Sequence, residues 1–332
     1  MRISYQELFD VLLTVLLKAG FEAERARVCA RLFTDASRDG VYSHGLNRFP
    51  RFMEMIRRGV IDIHAQPALV GSYGALERWD GMRGPGNLNA YACMERAIAL
   101  SHRAGIGCIA LANTNHWMRG GSYGWQAAEA GVIAVCWTNT MPNVPPWGAS
   151  EPRIGNNPLV IAVPHCDGHI VLDMAMSQFS YGTLEAYRMR GEQLPVFGGF
   201  DLKGQLTRDA SAIEASARPL PIGYWKGSGL ALMLDLLAAL LSGGCATHQI
   251  PADSCQETGL SQAFLAFDLP LIDKEEEREK VIDRIIEYVQ SANHATGERV
   301  RYPGERTLEI RKQNLDEGIP VEPLIWQQVQ EL

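Results

Sequence analysis

The 332-residue sequence predicts an α/β protein: a mixed sheet, parallel and antiparallel, covered by helices and joined to a discontinuous all-helical domain. Three observations predict it. Residues 1–70 carry helical periodicity, residues 105–139 read as strand, helix, strand, and residues 157–175 read as two β-branched runs joined by an Asp-Gly turn. A late amphipathic run is expected to return to the first helices. The expected helical domain is therefore 1–70 with 275–332, around an α/β domain at 71–274.

The first helix is marked by a capping box of Ser4 and Glu7, with Ile3 and Leu8 at staple positions and Gly20 closing the run. A second covers 22–38, with Ala26, Cys29, Ala30 and Phe33 on one stripe, and stops at Asp39-Gly40. A third runs from about 47 to 58, with Pro50 tolerated in its first turn. "GIGCIALAN" (105–113), a helix near 122–130 and "GVIAVCWTN" (131–139) form a crossover with parallel strands. "NPLVIAVP" (157–164) and "HIVLDMA" (169–175) flank "HCDG", so those two strands are antiparallel. Helices near 87–104, 177–190 and 228–242 cover the sheet, the last of them apolar nearly all round and read as buried. The late helix begins at its cap, Asp273.

Bulk properties restrict the partners. The net charge is −7, from 31 basic and 38 acidic residues with no Lys/Arg-rich block. Nucleic acid and anionic membranes need a concentrated positive footprint, so neither is expected, whereas a few local arginines suffice for a small anion. Seven scattered cysteines without a C-x-x-C pair point to reduced thiols and a cytoplasmic protein. "VLLTVLL" (11–17) follows Glu7 and Asp10 and precedes no small-residue cleavage site, so it is not read as a signal peptide.

The segment "YSHGLNRFPRF" (42–52) places His44 in a loop feeding a helix start and Arg48 in its first turn. A guanidinium offers two parallel donors to a carboxylate, and an imidazole beside it exchanges one proton near neutral pH. An ordinary surface helix start explains the same residues. A second histidine lies in "ANTNHWMRGGSYG" (112–124), where Asn113, Asn115 and His116 follow a strand end, the place where open α/β sheets bind ligands. A well-bonded loop is the equal alternative. "HCDGH" (165–169) offers donors but no metal-ligand spacing, and no metal is expected. "GMRGPGNLNAYACMERA" (81–97) lacks G-x-G-x-x-G and follows no clear strand, so the sheet is expected to be non-Rossmann. The glycine-dense "PLPIGYWKGSGLALML" (219–234) fits either a contact with a phosphate and a flat ring or plain packing geometry, and "YPGER" (302–306) reads as a Pro-Gly turn.

"SHGLNRFPRF", the "TNH" loop, "GNNPLVIAVP", "HIVLDMA", "LPIGYWKGSGLALM" and "YPGE" occur in consistent order along nearly the whole chain. In this the sequence resembles the type-2 malate/L-lactate dehydrogenase family, which reduces 2-oxo acids with a nicotinamide cofactor. The resemblance implies a catalytic histidine at His44 and substrate contacts at Arg48, Asn115 and His116. It implies cofactor contacts at Gly168, His169, Ile170, Val171, Leu172, Asp173 and Met174, at Tyr224 and Trp225, and at Gly304, Glu305 and Arg306. It also implies a homodimer with its sites near the subunit interface, and NAD as cofactor. NADH is favoured by resemblance only; no residue reads a ribose phosphate, so NADPH stays open. Trp117, Met118 and Arg119 after the Asn-His pair, and Thr183 after Gly182, depart from the pattern of many relatives. They point past malate or lactate to a longer, hydroxylated oxo acid such as a diketo sugar acid. Malate, L-lactate or ureidoglycolate oxidation is the alternative within the family. A metal-dependent hydrolase and a non-catalytic sugar-acid binding protein are the alternatives outside it.

Overall fold

The computed structural model describes residues 1–269, 274–293 and 299–332. Strand β1 (Arg2–Ile3) leads into helices α1 (Tyr5–Lys18), α2 (Ala23–Arg38) and α3 (Phe49–Arg57). Their starts follow local chemistry: Ser4 Oγ accepts the Glu7 N–H at 3.1 Å, and the Glu22 carboxylate accepts the amides of Glu24 and Arg25. Pro50 sits in the first turn of α3, where its missing N–H costs nothing. Two 3-10 turns, Tyr42–His44 and Leu46–Arg48, join α2 to α3, so Arg48 caps the helix instead of lying inside it.

The chain then builds β2 (Ala68–Tyr73), β3 (Leu76–Asp80), α4 (Gly86–Ala104), β4 (Ile106–Asn115), α5 (Gly121–Glu129), β5 (Val132–Thr138), β6 (Leu159–Val163) and β7 (Ile170–Met174). A small lobe follows, with α6 (Tyr181–Arg190), β8 (Gly199–Phe200), β9 (Leu206–Thr207) and α7 (Ala210–Ser216). Last come α8 (Trp225–Ser242), β10 (Thr258–Asp268), α9 (Glu275–Gln290), α10 (Glu305–Glu317), β11 (Ile319–Pro320) and α11 (Pro323–Gln330).

The main sheet has seven strands in the order β2-β3-β4-β10-β5-β6-β7. It is mixed, as expected, but its parallel pair is β3 with β4. The crossover from β4 through α5 to β5 exists, yet β10 lies between the two strands and runs antiparallel to both, with Phe264 opposite Ile109 and Cys136. The local pattern gives no warning of β10, because strand insertion is a long-range event. The β6–β7 hairpin is antiparallel, with Val163 opposite Ile170, and leaves β7 at the sheet edge. A strand, β3, does precede the glycines at 81–86, contrary to expectation.

Among the described residues the two largest of four hydrophobic cores position the site. One joins α1, α2, α3 and α11 through Leu12, Phe33, Phe49, Phe52 and Trp326. The other lies between the sheet and helices α4 and α5, around Met94, Ile109, Trp117, Tyr123 and Phe264. Helices α10 and α11 bring the chain back to the first helices. Asn314 Nδ2 donates to Arg38 O at 2.8 Å, and β11 pairs with β1, Ile319 opposite Ile3. Helix α9 does not make that return: it packs on the hairpin turn, where Asp283 and Glu279 receive His165 Nε2 and the Cys166 N–H. The expected cap of this helix, Asp273, lies outside the described residues.

Helix α8 also departs from expectation. Ala231, Leu234 and Ala238 are buried against the sheet, but Trp225 and Leu240 are 67% and 70% exposed, with Leu232, Met233 and Leu236 beside them. Among the described residues it is the one helix long and apolar enough to cross a membrane.

The α4 start packs directly under the end of β4. A methyl group on Gly86 would lie 2.2 Å from Asn115 O and 2.4 Å from His116 O, both backbone atoms. Gly86→Ala should cost roughly 1–3 kcal/mol by overpacking; an unchanged denaturation midpoint would show that the strand end yields freely.

Candidate active site

The end of β4 carries the segment that matters. Asn113 and Met118 hold positive φ angles of 52° and 62°, a strained arrangement costing about 1–3 kcal/mol at each residue. Two anchors sustain it. The Trp117 ring packs on Tyr123 and Phe264 in the sheet core, at centroid distances of 5.6 and 6.2 Å. The Met118 side chain is buried in the helical core. His116 is therefore held at the seam between the two cores, and the turned Met118 N–H donates to its Nδ1 at 3.0 Å. With Nδ1 accepting, the neutral ring carries its proton on Nε2.

His44 arrives from the opposite direction, fixed by the 3-10 turn after α2, where the Leu46 N–H donates to Ser37 Oγ at 2.8 Å. Its ring lies 5.8 Å from that of His116, inclined by 20°, and its Nδ1 is 3.0 Å from Ser43 Oγ. Both imidazoles line a cavity of about 400 Å³. Arg119 lines it as well, as do Val171, Leu172 and Asp173 of β7 and Gly304 at the start of α10. Thr140, Asn156 and Ser180 add hydroxyl and amide groups.

The electrostatics follow from this enclosure. Burial first, then the charges of Arg48 and Arg119, pull the His44 imidazole down to about 4. Burial, Arg48 and His44 itself hold His116 well below the ordinary histidine value. Arg48 has no hydrogen-bond or ion-pair partner among the described residues, and burial with the neighbouring Arg51 pulls its guanidinium down to about 10. It acts on both imidazoles but does not itself line the cavity.

The other expected residues divide. Asn115 is buried and serves the backbone, its Nδ2 donating to Arg83 O and Gly84 O at 2.8 and 2.9 Å. Val171, Leu172, Asp173 and Gly304 reach the cavity, whereas Gly168, His169, Ile170 and Met174 do not line it. His169 stacks near Trp125 at 5.9 Å. Glu305 pairs with Arg299, and Arg306 is exposed. Tyr224 and Trp225 head the exposed face of α8, away from this chain's own cavity, Tyr224 packing on Trp147 at 5.0 Å. The composition and spacing give no hint of Thr140, Asn156 or Ser180 on the cavity lining, because pairing between elements distant in sequence brings them there.

A nicotinamide dinucleotide fits the residues present. Strand β7 is an open edge whose Val171 N–H reaches Pro303 O at 3.0 Å, and a Cβ on Gly304 would stand 3.0 Å from Val171 N, filling the cradle between them. Among the described residues one donor cluster suits a metal, His165 with Cys166 and Glu279, and it lies at the hairpin turn and not on the cavity lining. His165 Nδ1 accepts the Asp167 N–H at 3.0 Å, so Nε2 keeps its proton for Asp283 and is not free to ligate.

Comparison with known proteins fixes the class. Residues 3–330 match the family model described as malate/L-lactate dehydrogenase. The chain belongs to this family of oxidoreductases. It is 46% identical, over 100% of both chains, to 2,3-diketo-L-gulonate reductase of Escherichia coli K12. Among solved structures, malate dehydrogenase from Pyrococcus horikoshii OT3 superposes with a TM-score of 0.90 at 29% identity, covering 100% of this chain and 94% of that one. Sulfolactate dehydrogenase from Methanocaldococcus jannaschii gives 0.91 at 27% identity, covering 100% and 96%.

The depressed imidazoles have a consequence for stability. His44 stays neutral in the folded chain below its ordinary 6.5, while the unfolded chain takes up the proton there. Its contribution is therefore lost as pH falls from 6.5 toward about 4. His44→Gln should flatten the acid limb of the stability curve in that window; an unaltered slope would contradict the burial of the ring.

Proposed function

We propose that the chain is an NADH-dependent reductase of a 2-oxo sugar acid, of the 2,3-diketo-L-gulonate kind, yielding the corresponding 2-hydroxy acid. The observation that carries the reading is the pair of stacked imidazoles facing an open strand edge, with an unpaired guanidinium beside them. Full-length identity of 46% to a diketogulonate reductase supports the substrate class.

Each residue has a derivable role. Arg48, half-buried behind the cavity lining and without a hydrogen-bond or ion-pair partner among the described residues, attracts and orients the substrate carboxylate, since a poorly solvated unpaired charge is costly until an anion meets it. His116, with its proton fixed on Nε2, donates a hydrogen bond to the keto oxygen as a neutral polarising group. The substrate carboxylate adds negative charge beside His44 and raises its proton affinity, and the charged ring then gives its proton to the same oxygen. Strand β7 and Gly304 would hold the reduced nicotinamide, which would supply the hydride for the keto carbon. Thr140, Asn156 and Ser180 are placed to meet the hydroxyls of a sugar acid.

We read the protein as a cytoplasmic homodimer. Its seven free cysteines support the compartment, and the bare apolar face of α8 supports a second copy as its cover. Such a copy would also give the exposed Tyr224 and Trp225 a place near a neighbouring cavity.

A panel of 2-oxo acids, with NADH and NADPH, tests the assignment by loss of nicotinamide absorbance. Diketo sugar acids with NADH should outperform oxaloacetate and pyruvate; a preference for the latter would favour malate or lactate chemistry. His44→Ala should lower turnover about 10²–10⁴-fold with cofactor affinity retained, and near-native turnover would refute the proton-donor role. Leu240→Arg should convert a dimer to monomers in light scattering; a native protein that is already monomeric would remove the second copy.

A further inference from the structure

Asp39, the residue closing α2, is 2% exposed and binds three guanidiniums at once. Arg38 Nε donates to it at 2.7 Å, Arg119 Nη1 at 2.5 Å, and Arg311 through Nε and Nη2 at 2.7 Å each. The three arginines come from α2, from the loop after β4, and from α10. One carboxylate does not neutralise three cations, and the surplus is not spread evenly. Arg38 has a second partner in Asp35 at 2.8 Å, and Arg311 lies over the Trp125 ring at 4.3 Å. Among the described residues Arg119 has Asp39 as its one hydrogen-bond partner, with the Asp173 carboxylate near it but not bonded to it. Arg119 is 5% exposed, its Nε is buried with no hydrogen-bond partner, and it is the one member of the trio on the cavity lining with His44.

The groups that face His44 are Arg48 from the α3 cap, His116 and Arg119 from the loop after β4, and Ser43. Asp173 of β7 faces the cavity near Arg119, with its carboxylate taken by the Gly121 N–H at 2.8 Å. No carboxylate stands within ion-pair distance of His44 among the described residues.

We propose that Asp39 is a positioning residue: by holding the Arg119 guanidinium against the cavity wall, it fixes a second positive charge, beside that of Arg48, where an acid meets His44. Asp39 touches neither cavity nor ligand and acts through Arg119. The two guanidiniums together then favour an anion in the cavity over a neutral ketone, and they keep the imidazole from charging before the anion arrives. This rests on the reading of His44 as the proton donor to a bound acid.

The test follows the His44 ring by NMR titration in the ligand-free protein, its signal assigned by loss in His44→Gln, alongside kcat and KM for a 2-oxo acid. Arg119→Gln should move the His44 titration to higher pH by about one unit and raise KM about tenfold. Arg119→Lys, which keeps the charge, should hold the titration near the native one. Asp39→Asn should move it the same way, to higher pH, because a neutral amide no longer holds the Arg119 guanidinium against the cavity wall; should that variant fail to fold, the two Arg119 variants still decide whether the charge at that position governs the ring. A purely structural role would lower the melting temperature of each variant and leave the ring titration in place, and that outcome overturns the proposal. If His44→Ala abolishes turnover while Arg119→Gln alters neither titration nor KM, this inference fails and the reductase reading stands. If His44→Ala keeps full turnover while the Arg119 variants shift the ring, the reaction role of His44 fails and the charge coupling stands.

Discussion

Arg48 and Arg119 crowd positive charge around an imidazole that has no carboxylate in ion-pair reach among the described residues, and the cavity's electrostatics depend on that imbalance. Water would screen such a cluster, and its partial burial limits that screening. At an effective dielectric of about 20, like charges a few ångströms apart interact by several kcal/mol, far more than in bulk solvent. The free site is thus poorly suited to hold a proton on His44 and well suited to receive an anion. On the proposed reading an acid supplies the missing negative charge, so that binding and activation of the proton donor become one event.

The fold exists around this seam. His116 belongs to the sheet domain and His44 to the helical layer, and neither is positioned by residues near it in sequence alone. Trp117 is buried in one core and Met118 in the other, which allows a strained turn to present Nδ1 of His116 to a backbone donor. Asp39 ties the same loop to α2 and α10. The open edge of β7 then faces the imidazoles without any glycine-rich phosphate loop of the dinucleotide-fold kind, and Gly304 lets the α10 start approach that edge closely.

Much of this was legible in the chain because it is local. Ser4 and Glu7 announce α1, Asp167-Gly168 announces the β6–β7 hairpin, and Pro50 places the α3 start. His44 and His116 stand out as polar residues at a helix entry and a strand end. What the chain did not reveal is the product of long-range pairing. β10 enters between β4 and β5 from more than a hundred residues away, and an apolar run says nothing about its neighbours in a sheet. The apolar α8 looks like a core helix because composition does not tell a buried apolar face from an exposed one. Asp39 looks like an ordinary helix end, since two of its three arginines lie 80 and 272 residues away.

The coupling of acid binding to protonation is measured most directly by calorimetry of a non-reactive 2-oxo acid analogue, near pH 6, in buffers of differing ionisation enthalpy. The account predicts net uptake of up to about one proton per site on binding, lost in His44→Gln. Binding with no proton uptake, or with release, would contradict it.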